Sequence, residues 1–556
     1  MTLAVGQPIE LSDVQSLVNG RLSPTGVGSG LLFTVTGAPS AATGYEIVAD
    51  EHLMRAYGAT FDGSHDDSGA IQAIINASRT LTPAPIALPT ILFRFPACGS
   101  LIANRITSGA HNISITGAGQ QNTVLEMISG GAGGWQHGTQ SAPATGYFQF
   151  SNAMLQDGNP HGSGSIGIEI NAAPSNFPNC LTTTDFTLFK WARPMVVRNV
   201  PRGWECRNGC FFGPDYSVQQ YGAIDVVSNN TGHGCFSYTF ANVMTVNYFW
   251  GWRYNVAWQL EGQVFYSCRS YSGWGMVQAN VSPSALGSDI ADYQSPLWYF
   301  TDCDWQGYGY GYDLKNVRNV RIRGGYLISN ALDNTSGSVL PPAPGDTTNT
   351  PRTRRAYVSL IDCADVVSDG LCCDFSDANG GDTSIFYTDN KTNGARFRGT
   401  SFLAATNPYT AFEYQAGGTS NRAGDFDSVF LLWPSGVQRV QDGSNNQMVQ
   451  SLLRPLAGQG IHADVNENGT MTVATVAMNQ VIDSNGNIAV PFPTRSNGAP
   501  FFQSPSGPTV THDQQNALVQ VGYGSQVSVT NTGFVLNFGK SSAGTQMNIP
   551  YIAKGE

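Results

Sequence analysis

The stretch that most constrains this chain runs Ala56-Tyr57-Gly58-Ala59-Thr60-Phe61-Asp62-Gly63-Ser64-His65-Asp66-Asp67-Ser68-Gly69-Ala70-Ile71-Gln72-Ala73-Ile74. It joins a glycine-punctuated turn to the start of a helix. Gly58 and Gly63 are free to take positive φ. Asp66, Asp67 and Ser68 are placed to accept the unpaired N–H groups of a first helical turn, and their negative charge suits the helix dipole there. Ile71, Ile74 and Ile75 form one apolar stripe with Ala70, Ala73 and Ala77 beside it, so one face of the helix must be covered. The helix pattern runs out near Pro83.

Downstream, the pattern changes to short β-prone runs. Ile91-Leu92-Phe93-Arg94-Phe95 and Ile113-Ser114-Ile115-Thr116 alternate, the second closed by Gly117-Ala118-Gly119. Alternation sends one set of side chains inward and the other outward. A looser repeat follows: Cys210-Phe211-Phe212, Cys235-Phe236, Cys303-Asp304-Trp305, Gly324-Gly325-Tyr326, Cys373-Asp374-Phe375 and Thr400-Ser401-Phe402 each set a small residue before a bulky one. Cys268 adds a further small residue, and a second register through Cys268, Cys303 and Cys363 competes with the first. Intervals in the twenties and thirties of residues suit one solenoid coil plus a variable loop.

The opening string resembles the first motif of the pectate-lyase-like superfamily, Gly-Ala-x-x-Asp-Gly-x-x-Asp-Asp-Thr-x-Ala-Ile-Gln, with Ser68 in place of Thr and a one-residue difference before Asp62. The resemblance implies an all-β fold, a right-handed parallel β-helix (solenoid) with a short N-terminal capping helix. With Gly-rich coils and a β-rich C-terminal part, the chain further resembles bacteriophage tailspikes. That resemblance implies a homotrimer whose β-helix binds and cleaves bacterial polysaccharide, and whose N-terminal module attaches to a phage tail or baseplate. No family-specific catalytic motif is matched.

Composition bounds the remaining classes. A chain of 556 residues with 64 glycines and only 12% charged residues fits an elongated, turn-rich β protein. Its net charge of −11, with no basic run, argues against nucleic acid as a partner. No apolar run reaches membrane-spanning length. Met1–Asn19 lacks the pattern of a Sec signal; the tailspike resemblance implies a virion tail or the extracellular space as the setting. The ten cysteines show no metal-ligand spacing, so no metal or other cofactor is expected, and the thiols read as buried and structural. The expected organisation is an N-terminal module over 1–50, the β-helix with its glycan groove over 51–405, and a C-terminal trimerisation or carbohydrate-binding region over 406–556. Insertions at 273–295 and 333–353 read as loops framing the groove.

Between Tyr248 and Tyr312 tryptophan and tyrosine accumulate. Trp250, Trp252, Trp274, Tyr293, Trp298, Trp305 and Tyr308 are the candidate sugar-binding rings, since aromatic faces stack on sugars. The competing reading is that such rings fill the interior. Glu261, Asp302 and Asp304 are the candidate catalytic carboxyls, because glycoside hydrolysis pairs a general acid with a base or nucleophile. Asp302 and Asp304, two apart on one expected strand, would share a face. Asp374 and Asp377 form a reserve pair, and Asp225 is a weaker candidate. A polysaccharide lyase is the alternative; it would need a base and a cation for a uronate carboxylate, for which Lys315, Arg318, Arg321 and Arg323 form the dense basic group. A non-catalytic glycan-binding spike is the third reading. His233 reads as structural.

Overall fold

The computed structural model describes residues 8–10, 32–34, 46–79, 90–109, 111–128, 133–158, 165–172, 181–200, 202–214, 221–228, 235–257, 260–281, 294–329, 355–375, 383–388, 392–398, 401–403, 410–414, 425–427, 430–432, 440–442, 462–465, 471–492, 500, 502, 507–512, 525–538, 543–544 and 546–555. The chain divides into two units, Met1–Ser295 and Pro296–Glu556.

The first unit opens with two helices, α1 (Glu51–Ala56) and α2 (Ser68–Arg79). Asp50 caps α1 by accepting the Leu53 N–H at 3.0 Å. Ile71, Ile74 and Ile75 of α2 are buried, as the apolar stripe requires. Asp66 accepts the Ser68 N–H at 2.9 Å, but Asp67 does not cap the helix with its side chain. Its buried carboxylate turns back to take N–H groups of Thr60 and Phe61 and the Ser100 hydroxyl at 2.6 Å, tying the glycine turn to the first coils. Gln72 of α2 donates to the Thr107 carbonyl at 3.0 Å and accepts the Thr107 N–H at 2.9 Å. That amide pairs with the backbone of the strand Ile106–Ser108, which limits unwanted edge pairing.

The rest of this unit is a right-handed parallel β-helix of three faces, right-handed as crossover connections between parallel strands are. Residues in register stack coil upon coil. On one face, Ile47, Ile91, Ile113, Phe148, Leu181, Trp204, Tyr238 and Gln263 form one inward file. On the second, Ser100, Leu125, Leu155, Leu188, Phe211, Thr245 and Ser270 do the same. On the third, the file is Ile106, Trp135, Ile168, Met195, Ile224, Trp252 and Val277. The small–bulky repeat therefore mixes faces: Phe211 belongs to the second face, whereas Cys235 and Phe236 belong to the first. Loops of unequal length between faces scramble a single linear period.

Corners are turned by single left-handed residues. Asn152, Asp185, Asn208 and Asn242 have φ of 50–53°. Asp185 accepts from the Asn208 amide at 2.9 Å and Asn208 from the Asn242 amide at 3.3 Å, a ladder of side chains along one edge. Asn and Asp tolerate this region better than other non-glycine residues.

The second unit repeats the scheme. Val317–Arg323, Ala364–Asp369, Asn393–Arg398 and Asp425–Asp427 stack on one face. Trp305, Leu327 and Cys373 form an inward file on the next, and the register continues through positions 402 and 431. Trp305 is thus matched to Leu327 and Cys373, not to Tyr326 and Phe375. Cys303 stands at one corner and Cys363 at another, so the competing register joined different corners. Parallel pairing continues to Val440–Asp442, past the boundary expected at 405, because three-residue strands show too little alternation to be read. A four-stranded and a three-stranded antiparallel sheet follow, the latter with Phe492, Phe502 and Phe534 packed together. The N-terminal strands Pro8–Glu10 and Leu32–Thr34 pair antiparallel. No disulfide joins the described cysteines. No described helix is long and apolar enough to cross a membrane.

Trp204 is 1% exposed, sandwiched in its file between Leu181 and Tyr238. Trp204→Ala should destabilise by about 3–5 kcal/mol, whereas Arg207→Ala at an exposed position should cost under about 0.5 kcal/mol. Denaturant midpoints of both variants check this.

Candidate active site

The tryptophans expected to hold sugar are interior. Trp250, Trp252, Trp298 and Trp305 are at most 1% exposed and Trp274 is 7% exposed. Trp250 lies over Gly275, where an added Cβ would come 2.1 Å from its ring. Trp252 meets Phe240 and Phe265 edge-on at 5.9 and 5.5 Å, and Trp305 meets Tyr357 likewise at 6.0 Å. Trp274 stacks flat on Phe249 at 5.6 Å. Large rings fill the coil interior because apolar area is most stabilising there, and none of these faces is open to a ligand. Tyr293, Asp377, His233 and the side chain of Tyr308 lie outside the described residues. Among the described residues the exposed aromatics are instead Tyr266 (51%) and Tyr299 (37%). Tyr299 stands between inward Trp298 and Phe300, so strand parity was the signal that separates it from them.

The carboxyl trio is not brought together on one strand. Glu261 belongs to the first unit, Asp302 and Asp304 to the second. Glu261 is half-buried on the strand Leu260–Tyr266. Its outward aim is produced by a kink. Gly203, Ser237 and Gly262, on successive coils, have φ of 65, 60 and 68° and are skipped in the register. Two residues on, Gln263 is buried, whereas a regular strand would put it on the same face as Glu261. The second unit carries the same kink at Leu297, Asn319 and Asp365, with φ of 70, 55 and 49°. For a leucine this region costs about 1–2 kcal/mol, and such strain concentrates at functional surfaces.

Asp302 is not on a strand with Asp304. It is a corner residue at φ 50°, between the strands Ser295–Thr301 and Asp304–Lys315. Its N–H donates to the Arg323 carbonyl at 2.9 Å, and its carboxylate lies against Gly324, where an added Cβ would be 2.5 Å away. Asp302 does the geometric work that Asn208 and Asn242 do in the first unit.

Asp304 is placed differently. It is half-buried and in register with Tyr326 on the next coil. Tyr326 is in register with Cys372, and two residues beyond Cys372 on the same outward face stands Asp374. The Tyr326 hydroxyl donates to Asp374 Oδ2 at 2.7 Å. The structure therefore gathers Asp304, a leading candidate, and Asp374, a reserve one, about a single tyrosine. The Tyr357 hydroxyl donates to the Asp374 carbonyl, which anchors that strand from within. The bond to Asp374, with burial second, pushes the Tyr326 phenol up from 10.0 to about 12. The phenol is thus a persistent donor and a poor base. Coil stacking separates the two aspartate Cα atoms by about two strand spacings along the axis and two residues across it, on the order of 12 Å.

Other carboxylates are committed elsewhere. Asp225 is fully buried, paired with Arg193 at 2.9 Å and Arg253 at 2.6 Å, and accepts the Gly222 N–H. Glu169 is bracketed by Arg105 and Arg198. Burial pushes its carboxyl up, but the two guanidiniums outweigh that and hold it below the ordinary range. Both acids brace successive coils through these ion pairs. No group of residues suited to holding a metal ion occurs among the described residues.

No family model and no curated protein matches this chain. Among solved structures it is similar to the mannuronan C-5 epimerase AlgE6 A-module of Azotobacter vinelandii, at 14% identity, covering 71% of this chain and 98% of that one with a TM-score of 0.40. It is also similar to tailspike protein 3 of bacteriophage CBA120, at 12% identity over 76% and 68% of the two chains with a TM-score of 0.37. The DFA-IIIase of Arthrobacter chlorophenolicus A6 is similar at 11% identity over 71% and 96%, with a TM-score of 0.43. At these identities and scores the likeness is one of architecture and assigns no superfamily, residue or activity to this chain.

Because the folded pKa of Tyr326 is raised, its bond to Asp374 is intact below about pH 10 and is lost as pH rises through about 12. Asp374→Asn should bring the phenol back towards 10.0. Difference titration of tyrosinate absorbance, with Tyr326→Phe as the blank, reads the shift.

Proposed function

We propose that this chain is a tailspike-like depolymerase that cleaves bacterial surface or extracellular polysaccharide by glycoside hydrolysis, with Asp304 and Asp374 as the working carboxyl pair. The observation that carries the reading is the outward face on which Tyr326 stands in register beside Asp304 and bonds through its hydroxyl to Asp374. A hydrolase needs an acid on one side of the glycosidic bond and a base on the other, with room for water in the inverting case. Cα atoms two coils apart suit the longer spacing of about 6.5–9.5 Å between inverting carboxyls, once the side chains lean inward, better than the short spacing of about 5 Å used for covalent retention. Asp374, oriented by the Tyr326 hydroxyl, is the base that activates water. Asp304 delivers the proton to the leaving oxygen.

A β-elimination would instead need a base to remove a proton beside a uronate carboxyl. The Tyr326 phenol, bonded to Asp374 and raised from its ordinary value, is not a ready base for that step. Homotrimeric assembly, attachment to a phage tail through the N-terminal module and a virion or extracellular location belong to the same proposal. They rest on the resemblance of the Ala56–Ile74 string and on the sequence of a β-helix followed by a β-rich C-terminal part. Glu261, on the outer face of the first unit, is retained as a third candidate.

Asp304→Asn and Asp374→Asn should each lower cleavage about a hundredfold or more, whereas Asp302→Asn, which keeps a residue suited to the left-handed corner, should leave it near wild type. Reducing-end release from bacterial surface polysaccharide, measured beside ultraviolet absorbance of unsaturated uronate ends, checks the order of the three. Full activity in both Asp304→Asn and Asp374→Asn would move the site to another face, with Glu261→Gln the next variant. New unsaturated ends would replace hydrolysis by elimination.

A further inference from the structure

The surface that carries Asp304 and Asp374 is a lattice of six outward positions. Trp305, Leu327 and Cys373 are at most 1% exposed and point inward, so their strand neighbours point outward. Asp304, Tyr326 and Cys372 stand in register as one file across three coils. Gln306, Ile328 and Asp374 form a second file beside it. With coils about 4.8 Å apart and alternate residues about 6.8 Å apart, the lattice spans about 10 by 7 Å, room for one sugar ring and its substituents. The two acids occupy opposite corners. Gln306 is exposed at a third corner, and half-buried Ile328 lies between it and Asp374.

None of the six positions carries a cation. The basic group that a uronate would need lies elsewhere. Arg318, Arg321 and Arg323 belong to the strand Val317–Arg323, on the other side of Gly324 and Gly325, and Lys315 ends the strand Asp304–Lys315. Arg321 is bonded to Asp365 Oδ2 at 2.8 Å. A sugar carboxylate on the lattice would add a third acid to two, which like-charge repulsion opposes. The lattice therefore suits an uncharged ring. A ring that carries only hydroxyls would use Gln306 but leave Ile328 facing polar groups. An acetamido group uses both, because its carbonyl and its methyl share one carbon and Gln306 and Ile328 are neighbours one coil apart.

We infer that this lattice recognises an acetamido sugar, with the Gln306 amide donating to the acetamido carbonyl and Ile328 covering its methyl group. The Gln306 side chain has two N–H donors to offer, and a methyl laid on Ile328 leaves water at no polar cost. Recognition at this corner also sets which ring meets Asp304, since the other file places Asp304 two residues from Gln306 on the same strand. The inference rests on the hydrolase reading for the place of the sugar, but its first test reads binding alone.

Saturation-transfer NMR of the full chain with the methyl glycosides of N-acetylglucosamine, N-acetylgalactosamine, glucose, galactose and rhamnose tests it. The expected result is strongest saturation at the acetamido methyl of the first two, which bind about tenfold tighter than glucose or galactose. Gln306→Ala should weaken acetamido binding about tenfold and Ile328→Ser about fourfold, the effects of one hydrogen bond and one covered methyl. Equal saturation of all five glycosides, no saturation of the acetamido pair, or acetamido binding unchanged in both variants would overturn the proposal. Rhamnose bound tighter than the acetamido pair, through Ile328 and not Gln306, would also overturn it and assign a 6-deoxy sugar. Acetamido binding in a chain that cleaves no polysaccharide would support the inference and remove the hydrolase reading alone. Cleavage whose new reducing ends carry no acetamido group would remove the inference and leave the hydrolase reading standing.

Discussion

Each coil of this molecule must turn sharply between faces, and the turn is made by one residue held in the left-handed region. That constraint fixes the rest. Asn152, Asp185, Asn208 and Asn242 set one edge of the first unit, and Asp302, Asn316 and Asp362 set corners of the second. Once corners align, each inward residue falls above its counterpart a coil away. The files of Ile, Leu, Phe and Trp then pack continuously, and some polar groups lodge among them with specific partners. Trp204 donating to Thr183, and His137 lodged between the Ser108 hydroxyl and the Gly146 carbonyl, are examples. Burial pushes His137 down to about 4, so it stays neutral and adds no buried charge at neutral pH.

The same device shapes the outer surface. A second line of left-handed residues, Gly203, Ser237 and Gly262 in the first unit and Leu297, Asn319 and Asp365 in the second, lies within strands instead of at corners. It reverses the alternation locally and aims side chains outward that a regular strand would bury, Glu261 and Arg318 among them. Bulges of this kind re-aim side chains beside functional sites in many sheets. Here glycine supplies the conformation at two positions without strain, while Leu297 adopts it with no such freedom.

How much of this was legible follows from which residues carry their own signal. The Ala56–Ile74 string announced the capped helix because glycines, acids and an apolar stripe fall at fixed offsets. Its Gln72 completes a strand edge, a long-range contact that no local rule foretells. Strand content was readable from alternation, but coil register was not, since loops of unequal length separate faces: the step from Ile91 to Ile113 is 22 residues and that from Ile113 to Phe148 is 35. Trp250 and Trp298 looked like sugar platforms because sequence reports that aromatics are dense, not which way they face. Asp302 and Asp304 looked like one face because the left-handed corner between them was unseen. Asp374 joined Asp304 only when two coils were stacked, a relation that sequence distance hides.

The account turns on Asp304, Tyr326 and Asp374 forming one working surface. The most direct measurement is a crystal structure of the Asp304→Asn variant soaked with oligosaccharide fragments of the polysaccharide it acts on. The account predicts a sugar chain crossing Tyr326, with a glycosidic oxygen beside residue 304 and an ordered water held by Asp374. An oligosaccharide seated only on another face, with Tyr326 and Asp374 bare, would contradict it.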